Sequence, residues 1–276
     1  MLRKLLKYDL RYMFRYLWIF AAASVLSSAV GGVSVRVVSE QRFEADHTAY
    51  IFAVLGIVLA VFVLSALMIA AMVFAYYRFY QNFYTDEGYL TFTLPVKKIT
   101  HLDSKLISSL SVSCVAMLVL VVDLFIMLGI GLGGDMWATI GRFFSEITGL
   151  VINGASVMIF VAIAIEMLVL LVGSMLLGTL VVFLCISIAS MVTKKYRVIL
   201  GIVIAYIVSG VFSFISSFAM GLGSVGFSDV VGMIPADLGG LFTVMFLLCA
   251  LALEYLLVTV VYTVEYRILD KHLNLA

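Results

Sequence analysis

Charge is what this chain has least of. Asp, Glu, Lys and Arg make up 12% of its 276 residues, against roughly a quarter in soluble globular domains. Hydrophobic residues reach 64% and mean hydropathy is +1.22, which excludes an ordinary soluble domain. The longest polar break runs from Arg78 to Lys105, too short for the ~50 residues that a separate domain needs. The sequence therefore predicts one membrane domain over residues 1–276. No alternating strand pattern occurs, which argues against a barrel. Reacting groups are also scarce: there is no GxxxxGK[ST] phosphate loop, no HExxH, no GxSxG, and no Cys or His pair at zinc spacing. His47, His101 and His272 are scattered, and Cys114, Cys185 and Cys249 all fall inside apolar runs, where a thiol behaves as a small hydrophobe. The chain is not expected to be an enzyme or to hold a metal or cofactor, and any ATP-driven work would need a separate chain.

What is present is long apolar runs. A helix rising 1.5 Å per residue crosses a hydrocarbon core of about 30 Å in ~20 residues. Six runs are long enough: Leu17 to Val38, Ala49 to Tyr77, Leu106 to Gly134, Val157 to Met191, Val198 to Met220, and Leu241 to Val264. The expected fold is an all-α membrane protein with six transmembrane helices. Basic residues are segregated by loop. Fourteen lie on one side (Arg3, Lys4, Lys7, Arg11, Arg15; Arg78, Lys97, Lys98, Lys105; Lys194, Lys195, Arg197; Arg267, Lys271), and only Arg36, Arg42 and Arg142 on the other. Cytoplasmic loops carry the basic excess, so both termini and the 78–105 break are expected in the cytoplasm. The basic start mimics a cleaved signal peptide, but further spans follow it, and an uncleaved first span is the better reading. Within residues 1–16, Leu2, Leu5, Leu6, Leu10, Met13 and Phe14 oppose Arg3, Lys4, Lys7, Arg11 and Arg15; this predicts an amphipathic helix lying in the headgroup layer and anchoring the chain to membrane lipids.

On the opposite side, Gly134 to Asn153 reads as a surface-lying helix, and Gly221 to Gly240 as a short hairpin re-entering the membrane before the last span. Small residues recur every four positions at Ser24, Ser28 and Gly32 in the first span, and at Ser209, Ser213 and Ser217 in the fifth. Such stripes let helices approach closely, either inside one subunit or at a dimer interface. Three acids lie inside spans: Asp123, Glu166 and Glu254. Each is costly in hydrocarbon and must face protein or water. They serve either as an ion relay or as hydrogen-bonded structural groups.

The polar break carries the richest pattern. From Tyr84 to Lys98 it reads Tyr-Thr-Asp-Glu-Gly-Tyr-Leu-Thr-Phe-Thr-Leu-Pro-Val-Lys-Lys. Asp86 and Glu87 give a charged face, Gly88 a bend, and Tyr89, Leu90 and Phe92 apolar anchors, a set suited to a groove on a soluble partner. Pro95 fits the first turn of a helix. This break, with Ser104 to Ile107, resembles the first cytoplasmic loop of ABC-2 type transporter permeases, the membrane subunits of bacterial ATP-binding-cassette exporters. The opening Leu-Arg-Lys-Leu-Leu-Lys-Tyr-Asp-Leu-Arg and the closing Ile-Leu-Asp-Lys-His-Leu-Asn-Leu are similar to that family's ends. The resemblance implies an amphipathic entry helix, six spans, a coupling helix in the 78–105 loop, a re-entrant hairpin, and a dimer in the cytoplasmic membrane. It further implies that ATP and Mg act on a partner ATPase, that Asp86, Glu87, Gly88, Tyr89, Leu90, Thr91, Phe92, Leu94 and Pro95 couple to that ATPase, and that the exported substrate is hydrophobic or amphipathic, whether peptide, lipid or drug. The chemistry of the residues gives no reason to expect nucleic acid as a partner. A secondary transporter or channel using the intramembrane acids is the alternative.

Overall fold

The computed structural model describes residues 2–39, 47–85, 88, 98–154, 157–192, 199–211, 214 and 236–271. Among these residues the structure is helical, with no strand. In lipid, backbone polar groups must be satisfied within the segment, and a helix does this. The helices are α1 (Leu2–Ser39), α2 (His47–Tyr84), α3 (Lys98–Leu132), α4 (Asp135–Gly154), α5 (Val157–Val192), α6 (Ile199–Val211) and α7 (Ala236–Lys271). Five of them, α1, α2, α3, α5 and α7, are long and apolar enough to cross a membrane, and the protein is a multi-pass membrane protein. Of the expected fifth span, the described part is α6 and Phe214; the expected hairpin lies outside the described residues except for its last turn, which opens α7.

The chain divides into two compact units, residues 1–78 with 103–145, and residues 79–102 with 146–276. In the first unit, α1 and α2 are antiparallel: Ser34 packs at Gly56, the Ser27 hydroxyl donates to the Ala60 carbonyl at 3.3 Å, and the Tyr12 ring stacks on Phe74. The helices α1 and α3 run parallel, because Asp9 meets Lys105, Ser28 meets Asp123 and the Ser39 hydroxyl donates to the Gly131 carbonyl.

The amphipathic start differs from the expectation. It is not a separate helix but the first four turns of one unbroken helix with the span. No Gly or Pro occurs between Leu2 and Val30 to end that helix. On its apolar side, Met13 and Leu17 are buried against Ala71 and Ala75 of α2 and Val112 of α3, and Leu5, Leu6, Leu10 and Phe14 are half-buried. Asp9 accepts from Lys105 and Ser104 of α3, and the Arg78 guanidinium stands 4.2 Å over the Tyr12 ring. These contacts draw the segment onto α2 and α3.

At the far end of this unit the helices touch through glycine. A methyl group on Gly31 would come within 2.8 Å of the Ala60 side chain, and one on Gly32 within 2.8 Å of Ile130. The third helix stops where Gly133 takes the left-handed conformation, φ 56°, and its N–H returns to the Gly129 carbonyl. Asp135 in the first turn of α4 then sits favourably at a helix N-terminus.

In the second unit α5 packs along α7. They too run parallel: Glu254 lies over Gly173, and eleven residues further along α7 Glu265 meets Ser187 of α5. The last turns of α2 and the first turn of α3 belong to this unit.

Candidate functional site: the root of the polar loop

The two helix ends that flank the polar break are each fastened to the α5–α7 pair. At the exit from α2, the Phe79 ring lies flat on Phe183 of α5, with centroids 3.8 Å apart and planes 7° apart, and Phe83 stacks behind it at 4.8 Å. Both Phe79 and Phe83 are fully buried. One turn later the Tyr84 hydroxyl donates to the Ser187 hydroxyl at 2.6 Å, and the Ser187 hydroxyl donates to Glu265 Oε1 of α7 at 2.6 Å. Neither Ser187 nor Glu265 is exposed at all. A carboxylate accepting from a hydroxyl in a water-poor setting forms a short, strong bond. At the entry to α3, Lys98 donates to the Asp270 carbonyl of α7 at 3.0 Å and pairs with its carboxylate at 3.5 Å. That pair is exposed and adds little energy, but it ties the second end of the loop to the same helix.

Local sequence explains the placement. Phe79, Phe83 and Tyr84 recur at helical spacing on the last turns of α2, and Leu180, Phe183 and Ser187 recur likewise on α5. On α7, Glu254, Val258, Val261, Glu265 and Leu269 follow one stripe. Glu265 escapes a reading of apolar runs because it stands one residue past the end of the last run; the helical stripe reveals it.

Of the expected coupling residues, Gly88 is described. It is buried, its N–H donates to the Thr85 carbonyl at 2.8 Å, and a methyl group there would meet the Phe83 carbonyl oxygen at 2.8 Å. The turn after α2 is thus closed at a point where only glycine fits without a shift. Asp86, Glu87, Tyr89, Leu90, Thr91, Phe92, Leu94 and Pro95 lie outside the described residues.

The intramembrane acids fall in both units. Asp123 belongs to the first; it is buried, accepts from the Ser28 hydroxyl at 3.4 Å, and borders a cavity of about 30 Å³ with Ser24, Leu64 and Met68. Glu166 and Glu254 belong to the second unit, on α5 and α7. The small stripe Ser24, Ser28 and Gly32 is buried within the first unit, facing α3 at Asp123 and Ile130; there it serves packing inside one chain. Ser209 is exposed on α6, and Ser213 and Ser217 lie outside the described residues. Among the described residues no group of three His, Cys, Asp or Glu could hold a metal ion.

No family model, no curated protein and no solved structure matches this chain.

Proposed function

We propose that the chain is the membrane-spanning permease subunit of an ATP-binding-cassette exporter, in which a separate ATPase grips the loop from Asp86 to Pro95. The observation that carries this reading is the fastening of both loop ends to the α5–α7 pair, through Phe79–Phe183, Tyr84–Ser187–Glu265 and Lys98–Asp270. A push on a loop anchored in this way reaches two spanning helices at once, as a rocking mechanism requires. The resemblance of the loop to those of ABC-2 type permeases supports the same reading.

The parallel course of α5 and α7 bears on the number of spans. Two parallel neighbours in a membrane imply a return crossing between them, which supports reading the segment that contains α6 (Ile199–Val211) as the fifth of six spans. The basic excess favours both termini and the loop on the cytoplasmic side, and the resemblance to ABC-2 type permeases implies a bacterial cytoplasmic membrane. The stripe of α1 is occupied within its own unit, so the dimer contact falls to Ser209, Ser213 and Ser217.

The test is association with an ATPase. The wild-type chain should copurify with a soluble ATPase and stimulate its hydrolysis of ATP. Gly88→Val, which drives a side chain into the Phe83 carbonyl, and charged residues at Tyr89 and Leu90 should abolish the stimulation while membrane insertion persists. Unchanged stimulation in those variants would remove the coupling role.

A further inference from the structure

The seam between α5 and α7 holds acids for which neither helix supplies a basic partner before Arg267. Glu166, Gly173, Leu180 and Ser187 follow one another at seven-residue intervals on α5, a spacing of two turns that keeps them on one face. All four are buried, and Gly173 and Ser187 touch α7. Opposite Gly173 lies the carboxyl of Glu254: a methyl group added to Gly173 would stand 3.0 Å from its Cδ and its Oε2. Gly173 therefore forms a notch that the Glu254 head group occupies. Glu166, only 8% exposed, lies two turns away along the same face. One oxygen of each acid, Glu166 Oε2 and Glu254 Oε2, is buried with no hydrogen-bond partner among the described residues. No Lys, Arg or His occurs in α5, and none occurs in α7 before Arg267.

A buried carboxylate without a counter-charge costs several kcal/mol. Such an acid avoids that cost by holding its proton, and an arriving positive charge can take the proton's place. The surroundings of Glu254 indicate where that charge enters: Leu253, Tyr255 and Leu256 are exposed on α7, as are Met167, Leu168 and Leu171 on α5. In a membrane these side chains face acyl chains, and Glu254 itself is only half-buried. An entrant from the bilayer would meet an apolar wall with a carboxylate set into it.

We infer that the α5–α7 seam binds a cationic amphiphile, whose positive centre pairs with Glu254 at the Gly173 notch and whose apolar body lies against the lipid-facing side chains. Glu166 lies further along the same face and lowers the cost of a second positive charge or of movement along the seam. This inference rests on the exporter reading only in making the ligand a cargo; the site stands on its own geometry.

Binding of tetraphenylphosphonium, a permanent lipophilic cation, to the full chain in lipid nanodiscs tests it. Equilibrium dialysis against empty nanodiscs should show saturable binding. Glu254→Gln should weaken it roughly tenfold or more, the scale of one ion pair in a partly desolvated site. Gly173→Ala, which keeps the acid but displaces its head group, should weaken it as well. Glu146→Gln, on the exposed face of α4, should leave it unchanged. Uncharged tetraphenylmethane should not compete. Absence of saturable binding, equal binding by the Glu254→Gln protein, or equal competition by the neutral analogue would each overturn the inference. No ATPase is present in this assay, so its outcome is independent of whether the loop couples to one.

Discussion

Ser187 stands between Tyr84 and Glu265: it accepts a hydrogen bond from the Tyr84 hydroxyl and donates one to the Glu265 carboxyl, and Ser187 and Glu265 are both sealed from solvent. Removing the middle member takes from the buried Glu265 the hydroxyl that donates to its Oε1. A stranded buried polar group costs about 1–3 kcal/mol, more when charged. Ser187→Ala should therefore destabilise the protein by at least that amount in a denaturant or thermal assay, whereas Ser111→Ala on an outward position of α3, whose hydroxyl bonds only its own helix at Ile107, should change little. Tyr84→Phe should fall between them, since Ser187 keeps its bond to Glu265. Equal stability of the Ser187→Ala and Ser111→Ala proteins would deny the network its structural role.

At the scale of the element, the stripes of small residues show how far sequence reaches. Ser24, Ser28 and Gly32 are legible as a close-contact surface because four-residue spacing places them on one helix face. Which helix covers that face is not legible, since a second chain and α3 would read alike; the Ser28–Asp123 bond and the approach of Gly32 to Ile130 answer it in favour of the same chain. The amphipathic start raises a related question. Opposed basic and leucine stripes look the same whether the leucines meet acyl chains or protein, and only Asp9, facing Lys105 and Ser104, marks the second case. Ser28→Leu should overpack the α1–α3 contact and cost about 1–3 kcal/mol, a loss visible in the stability of the isolated chain. A variant that lowers only the fraction of dimer, with the stability of the single chain intact, would return the stripe to an intermolecular role.

For the whole molecule, the apolar runs and the basic bias were enough to read an all-helical, multi-pass membrane protein, because the bilayer imposes length and backbone satisfaction on every span. The root of the loop was not readable. It is assembled from residues as far apart in sequence as Tyr84, Ser187 and Glu265, and pairing across such separations leaves no local pattern. The proposed coupling role needs this rooted loop to lie in the cytoplasm and to be gripped by an ATPase. Site-directed thiol labelling measures that directly: a cysteine replacing Thr85 at the loop root, and one replacing the exposed Thr139 on α4, each placed in a chain lacking Cys114, Cys185 and Cys249. An impermeant reagent outside intact cells should reach position 139 and miss position 85, and in inside-out vesicles position 85 should react but be shielded when the ATPase is bound. Labelling of position 85 from outside, or equal reactivity with and without the ATPase, would contradict it.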